Sequence, residues 1–282
     1  MKYQHRFHAG NFADVHKHVT LLALLRAMQR KEKGLFYLDT HAGRGRYVFT
    51  GAEPRAGIEA RGGFELLRDA TVQSEELRDY VRAQFELRDA ANGSRGYAGS
   101  ALLAAHALRA QDRGVCCEIE PAESRALQRV LQSWPRLRAQ CTDGLQAVSA
   151  WLPPQEKRAL LLIDPPYENP DAEFAAALQA TGAALQRLAG AVIAWWYPIK
   201  DERTLAPWLQ SVTEQVSRPV LRTELWIHPR DSRVALNGSG LLIVNPPFQF
   251  DARLAQWLPE LGSCLGTEAH GGTSVQWLVH EH

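Results

Sequence analysis

The chain has 282 residues, 45% hydrophobic and 22% charged, with a formal net charge of +1 at pH 7. That length suits one large α/β domain with an insertion, or two small domains, and the apolar fraction is enough for a real core. No run of about 18 apolar residues exists to span a membrane, and the opening Met1-Lys2-Tyr3-Gln4-His5-Arg6-Phe7-His8 lacks a signal peptide's apolar stretch, so a cytoplasmic protein is expected.

Residues 10–30 open with Asn11 and Asp14 and set Val15, Val19, Leu22, Leu25 and Met28 at helical spacing, which predicts an amphipathic helix. Gly34 ends it, and 35–39 reads as a short buried strand that stops at a glycine-bearing loop, Thr40-His41-Ala42-Gly43-Arg44-Gly45-Arg46-Tyr47. From 50 to 95 alternating charges replace any strand-like run, with helical stretches at 63–67 and 74–87 and a turn signal at Asn92-Gly93-Ser94. This predicts a small helical subdomain, 50–95, inserted into a catalytic domain made of 1–49 and 96–282.

The α/β rhythm then resumes. Helices are expected at 100–110, 124–131, 144–152, 172–188 and 204–216, with strands at 115–119, 139–142, 160–163 and 191–197 between them. Final strands follow at 222–227, 240–244 and 274–279. Short apolar strands alternating with helices imply a mostly parallel sheet covered on both faces, and the closing strands imply an antiparallel edge.

Arginine supplies 26 of the 32 basic residues, a side chain suited to phosphate forks and base stacking. Of four cysteines, Cys116 and Cys117 are adjacent while Cys141 and Cys264 stand alone, so free and mostly buried thiols are expected. The histidines His5, His8, His16 and His18 have no carboxylate or cysteine pair at a recognised spacing, and no metal is expected.

Chemistry concentrates at strand ends. Asp39-x-His41-x-Gly43-x-Gly45 follows the first strand, where glycines let a backbone approach a cofactor; the third glycine of a dinucleotide fingerprint is missing. Glu118 ends the second strand, where a carboxylate could accept from two ribose hydroxyls, and Asp143-Gly144 follows the third, where one could accept from an adenine amino group.

Asp164-Pro165-Pro166-Tyr167 follows the fourth strand. A base amine is a poor nucleophile because its lone pair is delocalised into the ring. A carboxylate and a main-chain carbonyl accepting its hydrogens would turn that lone pair toward an electrophile. Two prolines fix the backbone and remove competing N–H donors, and the tyrosine ring could stack on a base swung out of its helix. Asn245-Pro246-Pro247-Phe248 repeats the pattern after a later strand. Order along the chain favours the first copy, on the strand after the three cofactor-side strands, and the second is assigned no catalysis.

These blocks resemble the bacterial ribosomal RNA large subunit methyltransferase J family. The likeness rests on Tyr3-x-His5-x-Phe7-His8-Ala9-Gly10-Asn11-x-Ala13-Asp14-Val15-x-Lys17-His18, on Tyr37 through Tyr47, and on Gly99-Ser100, Asp143-Gly144, Ile163 through Glu168, Trp196-Tyr197-Pro198 and Gly240 through Pro247. Ala101 stands where the family usually has proline.

The resemblance implies a class I, Rossmann-like, S-adenosylmethionine-dependent methyltransferase that makes N6-methyladenine in 23S rRNA. It implies cofactor contacts at His18, His41, Ser100, Glu118, Asp143, Gly144 and Asp164, with Asp164 as the catalytic acceptor. Tyr3, His5 and Lys17 would join Tyr167 on the substrate side. The expected partner is 23S rRNA, naked or partly assembled, met by a monomer without an obligate protein partner, its affinity coming from arginines on the insertion and around the cleft. Another exocyclic amine (DNA adenine-N6, guanine-N2 or cytosine-N4) and a catalytically silent RNA-binding module are the alternatives.

Overall fold

Phe36–Asp39 (β1) is buried at every position and lies between two parallel neighbours at the centre of the sheet. The computed structural model describes residues 8–49, 58–87, 95–200, 202–229, 236–266 and 271–280. In chain order the elements are α1 (Phe12–Gln29), β1, β2 (Arg46–Phe49), α2 (Ile58–Arg61), α3 (Phe64–Asp69), α4 (Glu75–Glu86), β3 (Arg95–Ala98), α5 (Ser100–Ala107), β4 (Arg113–Cys117) and α6 (Pro121–Leu131). The remainder is β5 (Leu137–Gln140), α7 (Gly144–Trp151), β6 (Ala159–Ile163), α8 (Pro170–Arg187), β7 (Val192–Ile199), α9 (Glu202–Gln215), β8 (Val220–Trp226), β9 (Gly238–Val244), α10 (Phe250–Leu265) and β10 (Gly272–Val279).

Eight strands form one sheet in the order β10-β8-β9-β7-β6-β1-β4-β5. The five from β7 to β5 run parallel, while β9, β8 and β10 pair antiparallel. This is the class I methyltransferase arrangement, with β9 inserted antiparallel between β7 and β8. Central strands buried on both faces read as unbroken apolar runs. Leu160, Leu162 and Ala194 face one core with α1, α5 and α10, and Leu161, Ile163 and Trp195 face the other with α7, α8 and α9.

Three features depart from the sequence reading. α1 is not amphipathic: His16, Lys17 and His18 are as buried as its leucines, because the sheet, α4, α5 and α10 pack around it. The 50–95 region is framed by an antiparallel ribbon, β2 with β3, pairing Tyr47 with Tyr97, and its helices α3 and α4 pack on α1 and α10. The helix α10 fills the interval before β10 where no element was expected.

Two of the cysteines are buried, Cys116 and Cys117, whereas Cys141 is exposed. Among the described residues no helix is long and apolar enough to cross a membrane.

Candidate active site

The chain leaves β1 toward β4 and β5 on one side, then returns to place β6 and β7 on the other. The strand order therefore reverses between β1 and β6, and in open α/β sheets that reversal opens a crevice at the carboxyl ends of the strands. The loops after these two strands meet there. Thr40 donates to the Leu162 carbonyl through both its N–H (3.0 Å) and its hydroxyl (3.1 Å).

Asp39, at the end of β1, is fully buried and accepts from Ser100 Oγ (2.6 Å), the Tyr37 hydroxyl (3.0 Å) and the His41 N–H (3.2 Å). Burial pushes its pKa up to about 6, against the pull of the Ser100 and Tyr37 hydrogen bonds. Ser100 thus spends its proton on Asp39. Since the Thr40 hydroxyl proton goes to Leu162, His41 Nδ1, 2.7 Å from that oxygen, is the donor to it. Its Nε2 is then an acceptor, and burial, opposed by Asp164 and Asp143, pushes the ring's pKa down to about 4.

Glu118 binds the glycine loop to the next helix, accepting from Gly43 N (3.0 Å) and Glu120 N (2.7 Å). Its pKa is raised chiefly by burial. Gly43 has φ +58, and the left-handed bend turns its N–H onto that carboxylate. Asp143 caps α7 by accepting from Leu145 N (3.0 Å) and Gln146 N (3.2 Å). Gly144 packs so tightly on the first loop that a Cβ would lie 2.1 Å from the Thr40 oxygen, so only glycine can stand there.

α1 brings three consecutive side chains to three different neighbours. Lys17 Nζ lies 2.5 Å from Asp164 Oδ2 and 2.8 Å from Asp14 Oδ1, with all three side chains largely buried. Burial opposes the ammonium charge, but the two carboxylates outweigh it and hold the pKa above its ordinary value. The same Nζ sits 5.6 Å from the centre of the Trp196 ring. His16 turns to the antiparallel strands, with Nδ1 3.0 Å from Ser239 Oγ and Nε2 3.4 Å from Thr223 Oγ1. His18 turns to the ribbon, with Nδ1 2.7 Å from the Tyr97 hydroxyl.

Of the residues expected from the sequence, Lys17, His41, Glu118, Asp143, Gly144 and Asp164 stand on the loops and helix around one crevice. Ser100 reaches it through Asp39, and His18 is buried against Tyr97. Tyr3 and His5 lie outside the described residues. Tyr167 departs from expectation. At φ +54 its ring is only 3% exposed, stacked on Trp208 at 5.9 Å. Its hydroxyl donates to the Trp196 carbonyl (2.8 Å) and accepts from Trp195 Nε1 (2.9 Å). In this arrangement Tyr167 is a wall of the site with no open face for a base.

Sequence reasoning passed over Asp39 and Asp14 as site residues. The first heads the very Asp-x-His-x-Gly run that marked the loop, and the second stands one helical turn before Lys17, the spacing of an i,i+3 ion pair.

Four carboxylates, Asp39, Glu118, Asp143 and Asp164, therefore lie around the crevice; the Lys17 ammonium that α1 brings there is engaged by two carboxylates, and Arg44 on the first loop pairs with Glu123. Such a donor set repels a phosphate-bearing dinucleotide and suits a ligand rich in hydroxyl and amino donors with a cationic centre. S-adenosylmethionine has that chemistry, and the residues fit it.

A family model described as "Ribosomal RNA large subunit methyltransferase D, RlmJ" matches residues 32–279. The Haemophilus influenzae protein named ribosomal RNA large subunit methyltransferase J is 35% identical over 281 residues, covering 100% of both chains. Its Escherichia coli namesake is 32% identical over the same span, again with 100% of each chain covered. Among solved structures, protein LPL1258 of Legionella pneumophila superimposes with a TM-score of 0.85 at 31% identity, over 95% of this chain and 98% of that one.

Proposed function

The chain belongs to the ribosomal RNA large subunit methyltransferase J family, S-adenosylmethionine-dependent rRNA methyltransferases, and from that premise we propose that it methylates the exocyclic N6 of a specific adenine in 23S rRNA. The transfer is a direct in-line attack with no covalent enzyme intermediate. The observation that carries this reading is Asp164 at the reversal point of the sheet, one oxygen held by Lys17 and the other without a hydrogen bond among the described residues.

S-adenosylmethionine, when bound, supplies a methyl group on a sulfonium, an electrophile already activated. Glu118 and Asp143 would hold its ribose and adenine, and His41 Nε2 adds an acceptor on the first loop. The remaining task is alignment, which is worth on the order of 7–11 kcal/mol at best.

Lys17 fixes Asp164 through Oδ2, so Oδ1 is left to accept one amine hydrogen. A main-chain carbonyl of the Pro165-Pro166 stretch takes the other, and neither proline offers a competing N–H. The amine lone pair is thereby turned out of conjugation. Its proton becomes acidic once the nitrogen carries positive charge. Lys17, already protonated, cannot take it, whereas Asp164 Oδ1 is hydrogen-bonded to it.

The test is methyl transfer from labelled cofactor to protein-free 23S rRNA, comparing the wild type with Asp164→Ala and digesting the product to nucleosides. Label in N6-methyladenosine that vanishes in the variant is the expected result. Label in another nucleoside would move the substrate to a different base amine, and absence of label despite tight cofactor binding would overturn the RNA reading.

A further inference from the structure

Eight of the arginines whose side chains are described pair with carboxylates where they stand. Arg26 pairs with Glu75 and Asp79, Arg44 with Glu123, Arg109 with Asp112, Arg113 with Glu156, Arg222 with Glu224, and Arg253 with Glu76. The inserted region is worse placed for RNA than its arginine content suggests. Between 50 and 95 seven arginines face nine carboxylates, a net of −2, and Arg68 and Arg82 are bound to Asp69 and Asp79. By charge balance the insertion is therefore a weaker candidate for phosphate contact than its arginine count suggests.

The opposite condition holds at the outer edge of the sheet. Residues 124–142, which take in α6 beyond Glu123, the turn after it and the edge strand β5, contain four arginines and no carboxylate. Arg125, Arg129, Arg136 and Arg138 are all exposed, and none makes an ion pair or side-chain hydrogen bond among the described residues. Arg125 and Arg129 are one helical turn apart, about 6 Å along the axis. Arg136 ends the turn that leads into β5 and Arg138 is the second residue of that strand, about 7 Å further on. α6 packs on β5, so the two pairs border one edge.

We propose that this arginine edge of α6 and β5 binds the sugar-phosphate backbone of the substrate RNA, flanking the target base. The proposal rests on the RNA-methyltransferase reading. Three strand intervals separate β5 from β6, about 14 Å, and Arg136 and Arg138 lie a further 10–16 Å or so back along the strands from Asp164, so a structured RNA with a base at Asp164 must reach roughly 17–22 Å to meet them. Unpaired guanidinium groups carry no cost of breaking existing ion pairs, and each phosphate met releases counterions.

The experiment measures RNA affinity against salt for three proteins: the wild type, Arg125→Gln/Arg129→Gln/Arg136→Gln/Arg138→Gln, and Arg68→Gln/Arg78→Gln/Arg82→Gln on the insertion. The edge variant should lose about 0.7–0.9 in log–log salt slope per contact, roughly 3 in all, and bind at least tenfold more weakly near 0.1 M salt. Its cofactor affinity by calorimetry and its rate at saturating RNA should match the wild type. A fourfold Arg→Lys variant should keep the slope, because the contacts are with phosphate charge.

An edge variant with wild-type affinity and slope would overturn the proposal, as would a loss that appears in the insertion variant instead. Failure of the methyltransferase reading shows separately, in the wild type alone, as absence of transfer to any RNA. A different methylated base in that assay leaves the edge proposal standing.

Discussion

Asp164-Pro165-Pro166-Tyr167 and Asn245-Pro246-Pro247-Phe248 are nearly the same four residues twice, each following a buried strand and each containing a left-handed residue, Tyr167 at φ +54 and Asn245 at φ +50. Their surroundings have nothing in common. β6 runs parallel to β1, so its turn opens into the crevice and meets Lys17. β9 runs antiparallel to β7, pairing Val244 with Ile193, so its turn lands beside the start of β7 at the other end of the sheet. There Asn245 donates to the Ala189 (3.0 Å) and Ala191 (2.8 Å) carbonyls and closes a loop. Strand direction, which no four-residue motif encodes, decides which copy faces the chemistry.

The largest effect expected from breaking this contrast is at the first turn. Asp164→Ala should lower kcat about a thousandfold, roughly 4 kcal/mol, because the acceptor acts on charge that develops in the transition state. If single-turnover rates fell less than tenfold, Asp164 would not be the acceptor. Lys17→Met comes next. Removing the cation leaves Asp14 and Asp164 facing each other across a largely buried space, a loss of about 3 kcal/mol in stability. A tenfold or greater fall in kcat should accompany it, read by chemical denaturation and single-turnover kinetics on one preparation. A variant as stable as the wild type would show that the ion pair is not maintained in solution.

The second turn should respond in the opposite currency. Asn245→Ala loses two hydrogen bonds and puts alanine where the left-handed region favours asparagine, together about 1–3 kcal/mol of stability. Its kcat at a temperature well below the melting point should equal the wild type. Asn245→Asp is the sharper variant: it makes the second copy read like the first, yet it sets a carboxylate against two carbonyls. It should lose stability and gain no ability to rescue Asp164→Ala. Any rescue would refute the topological assignment.

The order of strands and helices was legible because apolar runs and helical spacing report burial directly, and the carboxylates at 118, 143 and 164 were legible because strand ends are marked by turn residues. Tyr167 was misread because aromatic rings serve equally as base platforms and as core, and only the packing on Trp208 tells them apart. α1 was misread as amphipathic for a related reason. Its polar residues satisfy one another and their neighbours inside the protein, so hydrophobic spacing identified the helix but not its burial on nearly every side. The role of Asp14 depends on Lys17 and Asp164 converging across 147 residues of sequence, which no local pattern reveals.

The smallest effect concerns the joint between the two regions. His16 fastens α1, which carries Lys17 to the first turn, to the antiparallel wing that carries the second, through Ser239 and Thr223. Burial pushes its pKa down to about 3, with the Ser239 hydrogen bond only partly opposing. The folded ring therefore stays neutral while the unfolded chain binds a proton below about 6.5. Stability from this group is fully present above that pH and is lost as pH falls toward 3, at up to about 1.4 kcal/mol per pH unit. His41, lowered to about 4, adds a loss of the same sign, whereas Asp39, raised to about 6, gives stability back as pH falls through that value. The wild-type profile alone is thus a sum of opposing slopes, and the difference from His16→Gln isolates one of them. Between pH 6.5 and 4.5 the variant's unfolding free energy should fall less steeply than the wild type's by up to one proton's worth. Parallel profiles would mean that His16 is protonated in the fold, and the wing would then be joined to α1 through a charged rather than a neutral ring.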